Sequence, residues 1–291
     1  MKQTNIKPGV YYNVPDSEYR AWPCYCKSMM SYTMKSGKHL KAYVDGSGED
    51  SDAMIFGRLV DCFLLEPDRY GDLFVIRPDM YPDNKGNMKP WSNNANYCRS
   101  WNAGQHKAII KAETKARADR VSKAIGEHPQ ASEWLNACKS QVSIVWIDPE
   151  TGITCKGRID GLIENERLLD LKITNDPHPA AFSRTSYSFG YHIQGAFYHD
   201  GYILASGGTL GESPQYPFSF IACEDSEPFD CVCYNLGVES FDVGRVMYRE
   251  ALSRYKEIKE SGEYYGYSNV AEELEIPLWA INRVLMEGRY D

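Results

Sequence analysis

The chain has 291 residues, 43% hydrophobic and 25% charged, with a formal net charge of −8. That length suffices for one large domain with a proper core. The acidic balance excludes a broadly basic nucleic-acid coat but not a local basic channel beside a carboxylate site.

No run approaches the ~20 apolar residues of a membrane span. Residues 1–5 lack the apolar stretch of a secretory signal, so a cytoplasmic location is expected. Nine cysteines, several in apolar contexts such as Asp61-Cys62-Phe63, read as reduced and mostly buried thiols.

In chain order, the pattern predicts a helix over 28–43, then an exposed loop at 45–50. Residues 53–65 carry Met54, Ile55, Phe56, Leu59, Val60, Phe63, Leu64 and Leu65 and stop before Pro67. They read as a helix that is apolar nearly all round, hence buried. Residues 77–102 are rich in Pro, Asn, Asp and Gly and read as a long surface loop. A charged helix over 105–127 follows, with Lys107, Lys111, Lys115, Arg117, Arg120 and Lys123 forming either a solvated face or a DNA-facing one.

The period then changes. Residues 142–147, 153–163 and 167–174 read as three strands of an antiparallel meander, with a turn at 148–152 and a three-residue connection at 164–166. A helix over 191–205, strands over 218–222 and 231–236, and a long helix over 240–260 complete the pattern.

Chemistry concentrates in the meander. Asp170 and Lys172 are two apart on one strand and so share a face, while Leu171 points into core. With a three-residue connection Asp160 lies opposite Asp170, where cross-strand Cβ atoms are about 5 Å apart. Two carboxylates that close repel and become protonated unless a cation sits between them. Oxygen donors suit Mg²⁺ or Mn²⁺ rather than zinc. Such an ion polarises a phosphodiester and activates water, and Lys172 orients that water or stabilises developing charge. The bland alternative is a surface salt bridge between Asp170 and Lys172. Two further features converge with the first: Asp61 inside the apolar 53–65 helix, where a lone carboxylate is costly, and Gln194 with Tyr198, four apart on one helical face.

In combination, Phe56-Gly57-Arg58-Leu59-Val60-Asp61, Gly157-Arg158-Ile159-Asp160-Gly161, Leu169-Asp170-Leu171-Lys172 and Gln194-Gly195-Ala196-Phe197-Tyr198 resemble the PD-(D/E)xK nuclease superfamily. The similarity is narrower to its RecE (exodeoxyribonuclease VIII) type, relatives of the RecB nuclease domain and of lambda exonuclease, and spans about residues 12–255. It implies an α/β fold with a mixed twisted sheet flanked by helices. It further implies metal ligation by Asp160, Asp170 and the Leu171 carbonyl, and catalytic help from Lys172. Gln194 and Tyr198 are placed beside the DNA backbone, and Ser31 holds a terminal phosphate.

Two departures stand out. Asp61 replaces the family's usual histidine as the remaining ligand, and Gln141 stands where an acid is common. Some relatives carry an iron–sulphur cluster, but Cys24, Cys26, Cys223, Cys231 and Cys233 lack the usual close spacing. His192 and His199, seven apart, make no zinc pair.

The expectation is one nuclease domain over 1–291, with its C-terminal part, 240–291, helical. Its activity would be Mg²⁺-dependent exonucleolytic hydrolysis of linear duplex DNA, with Mn²⁺ able to substitute. Resemblance adds a ring-like homo-oligomer on duplex ends and a strand-annealing recombination protein as partner. The rivals are an endonuclease or Cas4-like nuclease, and a catalytically silent DNA-binding scaffold.

Overall fold

The computed structural model describes residues 6–46 and 51–287. The chain enters through β1 (Gly9–Tyr11), α1 (Asp16–Ala21), α2 (Lys27–Lys35) and α3 (Gly37–Val44). The single helix expected over 28–43 is therefore two. Ser36 is fully extended at φ −173° and its hydroxyl accepts from the His39 N–H, so it ends one helix and caps the next. Residues 47–50 of the expected loop lie outside the described residues.

Ser51 caps α4 (Asp52–Leu65) by accepting from the Met54 N–H at 3.3 Å. Phe56, Leu59 and Val60 are buried, but Met54 is 57% exposed, so the expectation of burial all round holds only for one side. A short turn at Pro67–Arg69 leads into α5 (Tyr70–Leu73), β2 (Phe74–Ile76), β3 (Met80–Pro82), β4 (Met88–Pro90), α6 (Asn96–Ala103) and β5 (Ala108–Ile110). Residues 77–102 are thus a corrected reading: a β3–β4 hairpin plus a helix, drawn together by the Tyr81–Tyr97 and Trp91–Trp101 ring contacts. The charged helix begins later than expected, as α7 (Ala112–Glu127), because Ala108–Ile110 pairs in parallel with β2. Pro129 starts an unforeseen α8 (Pro129–Ala137) at its first helical position.

The meander forms as β6 (Lys139–Ile147), β7 (Thr154–Ile163) and β8 (Arg167–Thr174). Asp148 closes its first turn, accepting from the Thr151 N–H and hydroxyl, and Gly152 sits at φ +71°, where a Cβ would be strained. Two helices, α9 (Pro179–Phe189) and α10 (Tyr191–Ala205), cross back over the sheet. They are followed by β9 (Phe218–Glu224), β10 (Cys231–Asn235), α11 (Val238–Ser261) and α12 (Leu278–Glu287). α9 is a helix the sequence reading left out, and residues 262–277 carry no helix, which corrects the expectation of a helical 240–291 segment.

The main sheet runs β1-β6-β7-β8-β9-β10, mixed because β8 and β9 are parallel while the other pairs are antiparallel. One face carries α10 and α11 over a core that includes Ile144, Ile159, Phe197, Phe218, Phe241 and Leu252. The other carries α4, α7 and α8 over Leu169, Leu171 and Ile221.

Candidate active site

Asp160 and Asp170 stand one step beyond the last ladder pair of β7 and β8, Gly161 with Leu169. There the ladder stops, and the Leu171 N–H donates to Asp160 Oδ2 at 2.9 Å. On its other flank, Asp160 faces a second gap. Ser140–Gly161 and Val142–Ile159 pair, but Gln141 does not, because it is held at φ +50°. That left-handed conformation costs on the order of 1–3 kcal/mol in a non-glycine residue. Asp160 therefore occupies a break in both ladders, and Gln141, which lines the same cleft, is part of what makes the break.

Asp170 is 3% exposed. Its Oδ1 accepts from Gln194 Nε2, and its Oδ2 lies 2.5 Å from Lys172 Nζ without a well-directed hydrogen bond. Lys172 Nζ donates to Gln194 Oε1 at 3.2 Å and lies 4.5 Å from the Tyr191 ring. Gln194 thus braces acid and amine together. Asp61 reaches the same cluster from α4. Burial, then the charges of Asp160 and Asp170, push its carboxyl well above the usual carboxylate range. Asp160 is pushed up to about 7, by burial first and Asp170 next, against Lys172 and the Leu171 N–H. Burial would lower the Lys172 amine, but the charges of Asp170 and Asp160 outweigh it and hold it raised.

A cleft of about 540 Å³ opens onto Asp61 and Asp160, with Arg58, Arg69 and Lys107 among its lining, which does not include Asp170 or Lys172. Arg158, also in the cleft wall, binds Asp16, Ser143 and the Val14 carbonyl and so ties the N-terminal arm down. Tyr198 packs on β7, where a Cβ on Gly157 would meet its ring at 2.9 Å. Ser31 is exposed, and its hydroxyl donates to the Ser28 carbonyl at 3.3 Å. The side chain of α2 that reaches towards the cluster is instead Lys27, which sequence reasoning missed. Its amine donates to the Phe189 carbonyl at 3.0 Å. Burial, followed by the charge of Lys172, lowers that amine to about 8.

Among the described residues no three carboxylate, imidazole or thiol groups already converge as ligands on one point. The cysteines weighed for a cluster do not gather at one place. Cys24 packs beside β6, whereas Cys223 faces Cys231 across β9 and β10. His192 contacts the Ser186 carbonyl and Met247 Sδ, and His199 belongs to a separate buried network. Neither a four-cysteine cluster nor a paired-histidine zinc site arises from these residues.

A family model described as a PDDEXK-like domain of unknown function (DUF3799) matches residues 26–275. The chain belongs to that family. Its fold agrees: a solved structure described as a "Putative exonuclease" from Eubacterium rectale superposes with a TM-score of 0.58 at 14% identity, covering 93% of this chain and 98% of that one. An alkaline exonuclease from Laribacter hongkongensis, 13% identical over 59% of this chain and 88% of its own, reaches a TM-score of only 0.25, below the level of a shared fold. No curated protein matches. The PDDEXK assignment thus rests on the family match and on a mixed sheet flanked by helices, as the sequence motifs implied. No helix among the described residues is long and apolar enough to cross a membrane.

Proposed function

We propose that this chain is a metal-dependent deoxyribonuclease that hydrolyses phosphodiester bonds of linear duplex DNA from its ends. The observation that carries the reading is the break in the β7 ladders at Asp160, where Asp61, Asp160, Asp170 and Lys172 gather within electrostatic reach of one another.

The donor set fits a hard divalent cation. It is all oxygen, two of its acids are forced towards protonation by burial and mutual repulsion, and Asp170 Oδ2 is a buried oxygen with no hydrogen bond aimed at it. Asp61, Asp160, Asp170 and the Leu171 carbonyl would hold Mg²⁺, with Mn²⁺ able to substitute. A bound divalent cation supplies polarisation of the phosphodiester and a more acidic water.

The chain's own groups do the rest. Lys172, held charged by its acidic neighbours, offers a proton donor and a positive charge to the phosphate oxygens. Gln194 fixes the direction of both Lys172 and Asp170. Arg58, Arg69 and Lys107 line the cleft among its acids, Arg69 already bridging Glu66, and are cations that a DNA backbone lying there would meet. Together with Tyr198 packed on Gly157, Gln194 places the Gln-x-x-x-Tyr face beside the carboxylates.

Action on duplex ends, a ring-like oligomer, a strand-annealing partner in recombination and a cytoplasmic setting follow the RecE resemblance and have its support alone. Asp170→Ala should lower Mg²⁺-dependent degradation of linear duplex DNA by more than about a hundredfold, since even outer partners of a metal site cost 10- to 100-fold. Undiminished cleavage by that variant refutes the assignment. Wild-type digestion of closed circular DNA as fast as linear would replace the exonuclease by an endonuclease.

A further inference from the structure

The C-terminal turn of α9 displays two aromatic rings that the fold does not bury. Tyr187 is 72% exposed and Phe189 is 64% exposed. They are nevertheless held in place. Phe189 stacks on Tyr191 with centroids 5.9 Å apart and planes 20° from parallel. Tyr187 stacks on the buried His192 at 5.8 Å and 11°. Gly190 follows at φ +67° and ends α9, and Lys27 Nζ pins the turn through the Phe189 carbonyl.

The inner end of this stack is the proposed active site, because Tyr191 is the ring against which Lys172 Nζ lies at 4.5 Å. Moving outward from the Lys172 amine one therefore meets Tyr191, then Phe189 with its outer face open to solvent. Beside Tyr187 runs a groove of about 500 Å³ lined by Phe182, His192 and Tyr234, with Ser183, Asn235 and the acidic Glu239 among its polar members.

We infer that Phe189 and Tyr187 form a stacking platform for unpaired bases of the DNA strand whose backbone enters the carboxylate cluster. The inference rests on the nuclease reading and adds to it the state of the substrate, a strand locally separated from its complement. Aromatic faces accept any base, because every base has a π-face, and a neighbouring amine serves the phosphate between them. Lys27 is that amine. Continuity with the Lys172 site, through Tyr191 to Phe189, selects this occupant over a protein partner.

The test measures binding of wild-type protein in EDTA, by fluorescence anisotropy, to three probes: a blunt duplex, the same duplex with a short thymidine overhang, and one whose overhang is abasic. The wild type should favour the thymidine over the abasic overhang by about five- to a hundredfold. Phe189→Ala and Tyr187→Ala should each erode that preference, and Phe189→Trp should keep it. All three should melt like the wild type, since the rings are exposed. Variants that retain the full preference overturn the platform. So does a Phe189→Ala change in sedimentation mass with the preference intact, which would mark a protein contact instead. A wild type that binds none of the probes and cleaves no DNA with Mg²⁺ or Mn²⁺ overturns the nuclease reading itself, and the platform with it.

Discussion

Asp200 on α10 is 2% exposed, and its carboxylate accepts four hydrogen bonds. Arg245 of α11 donates from Nε and Nη2 at 2.8 Å each, Tyr248 donates its hydroxyl at 2.7 Å, and His199 Nδ1 lies at 3.0 Å. The Gln215 N–H donates to His199 Nε2 at 3.1 Å, so Nδ1 carries the ring proton of a neutral imidazole. Replacing Asp200 by Asn turns one acceptor oxygen into an amide that faces donors, and it takes from the buried Arg245 guanidinium its hydrogen-bonded counter-charge, leaving Asp242 to act on it through space. Breaking such a pair costs about 3–5 kcal/mol. The Gly211 and Glu212 carbonyls, which also accept from Arg245, keep the loss from exceeding that range. For a chain of this size the melting point should fall by roughly 6–20 °C, at about 2–4 °C per kcal/mol. Urea unfolding followed by circular dichroism at pH 7 measures the loss. Asp200→Asn combined with Arg245→Met should cost less than the two single losses added together, because the second change removes the stranded charge. A single-variant loss below about 1 kcal/mol, or strict additivity, refutes the claim that this pair joins α10 to α11.

The same network predicts the acid limit of the fold. Burial raises the Asp200 carboxyl, but the bonds from His199, Arg245 and Tyr248 outweigh it and leave it below its ordinary value. A depressed folded value means that its stabilisation is complete above the unfolded value near ~3.9 and is lost as pH falls through the lower folded one. The gap between wild type and Asp200→Asn should therefore narrow below about pH 4; a gap that widens there contradicts the sign. Gln194→Ala should reduce cleavage by about 10- to 100-fold while the protein stays folded, as for other groups that orient a metal site; unchanged rates would leave Gln194 a packing residue. Gly157→Ala brings a Cβ within 2.9 Å of the Tyr198 ring. It should cost about 1–3 kcal/mol by overpacking, with a parallel fall in activity as the ring moves. A stable variant with full activity would show that the Tyr198 position is irrelevant.

The parts legible in the sequence were those whose signal is local. Strand period and turn chemistry located β7, β8 and α10, and the three-residue connection at 164–166 set the register that brings Asp160 to Asp170. What the sequence concealed depended on distant partners. Residues 77–102 looked like loop because neither β3 nor β4 exceeds three residues, too short to show a period, and each is completed only by the other. The start of α7 is not legible in the sequence, because Ala108–Ile110 has strand character only against β2. Lys27 gave no motif at all; its proximity to Lys172 comes from the packing of α2 beside the α9–α10 turn. Gln141 could be noticed as a departure from the resembled pattern, but its left-handed backbone has no signature in a glutamine.

That glutamine bears on how one site is drawn from both faces of a sheet. Asp61 comes from α4, which packs on the Leu169–Leu171 face, whereas Gln194 comes from α10 on the Phe218–Phe220 face. Packed layers normally stand about 10 Å apart, and an unbroken ladder of β6, β7 and β8 would leave each helix to its own side. At Asp160 the ladder is open towards β6, where Gln141 turns away, and towards β8, where the Leu171 N–H is spent on a carboxylate. Through that opening Asp61 lies close enough to feel Asp160, Asp170 and Lys172. The unpaired position of Gln141 and Asp160, the early end of the β7–β8 ladder and the strained Gln141 backbone destabilise the sheet, and the well-packed cores on either side hold it in spite of them. A strand pair optimised for stability alone would close the gap, and in closing it would part the acid of α4 from those of the sheet.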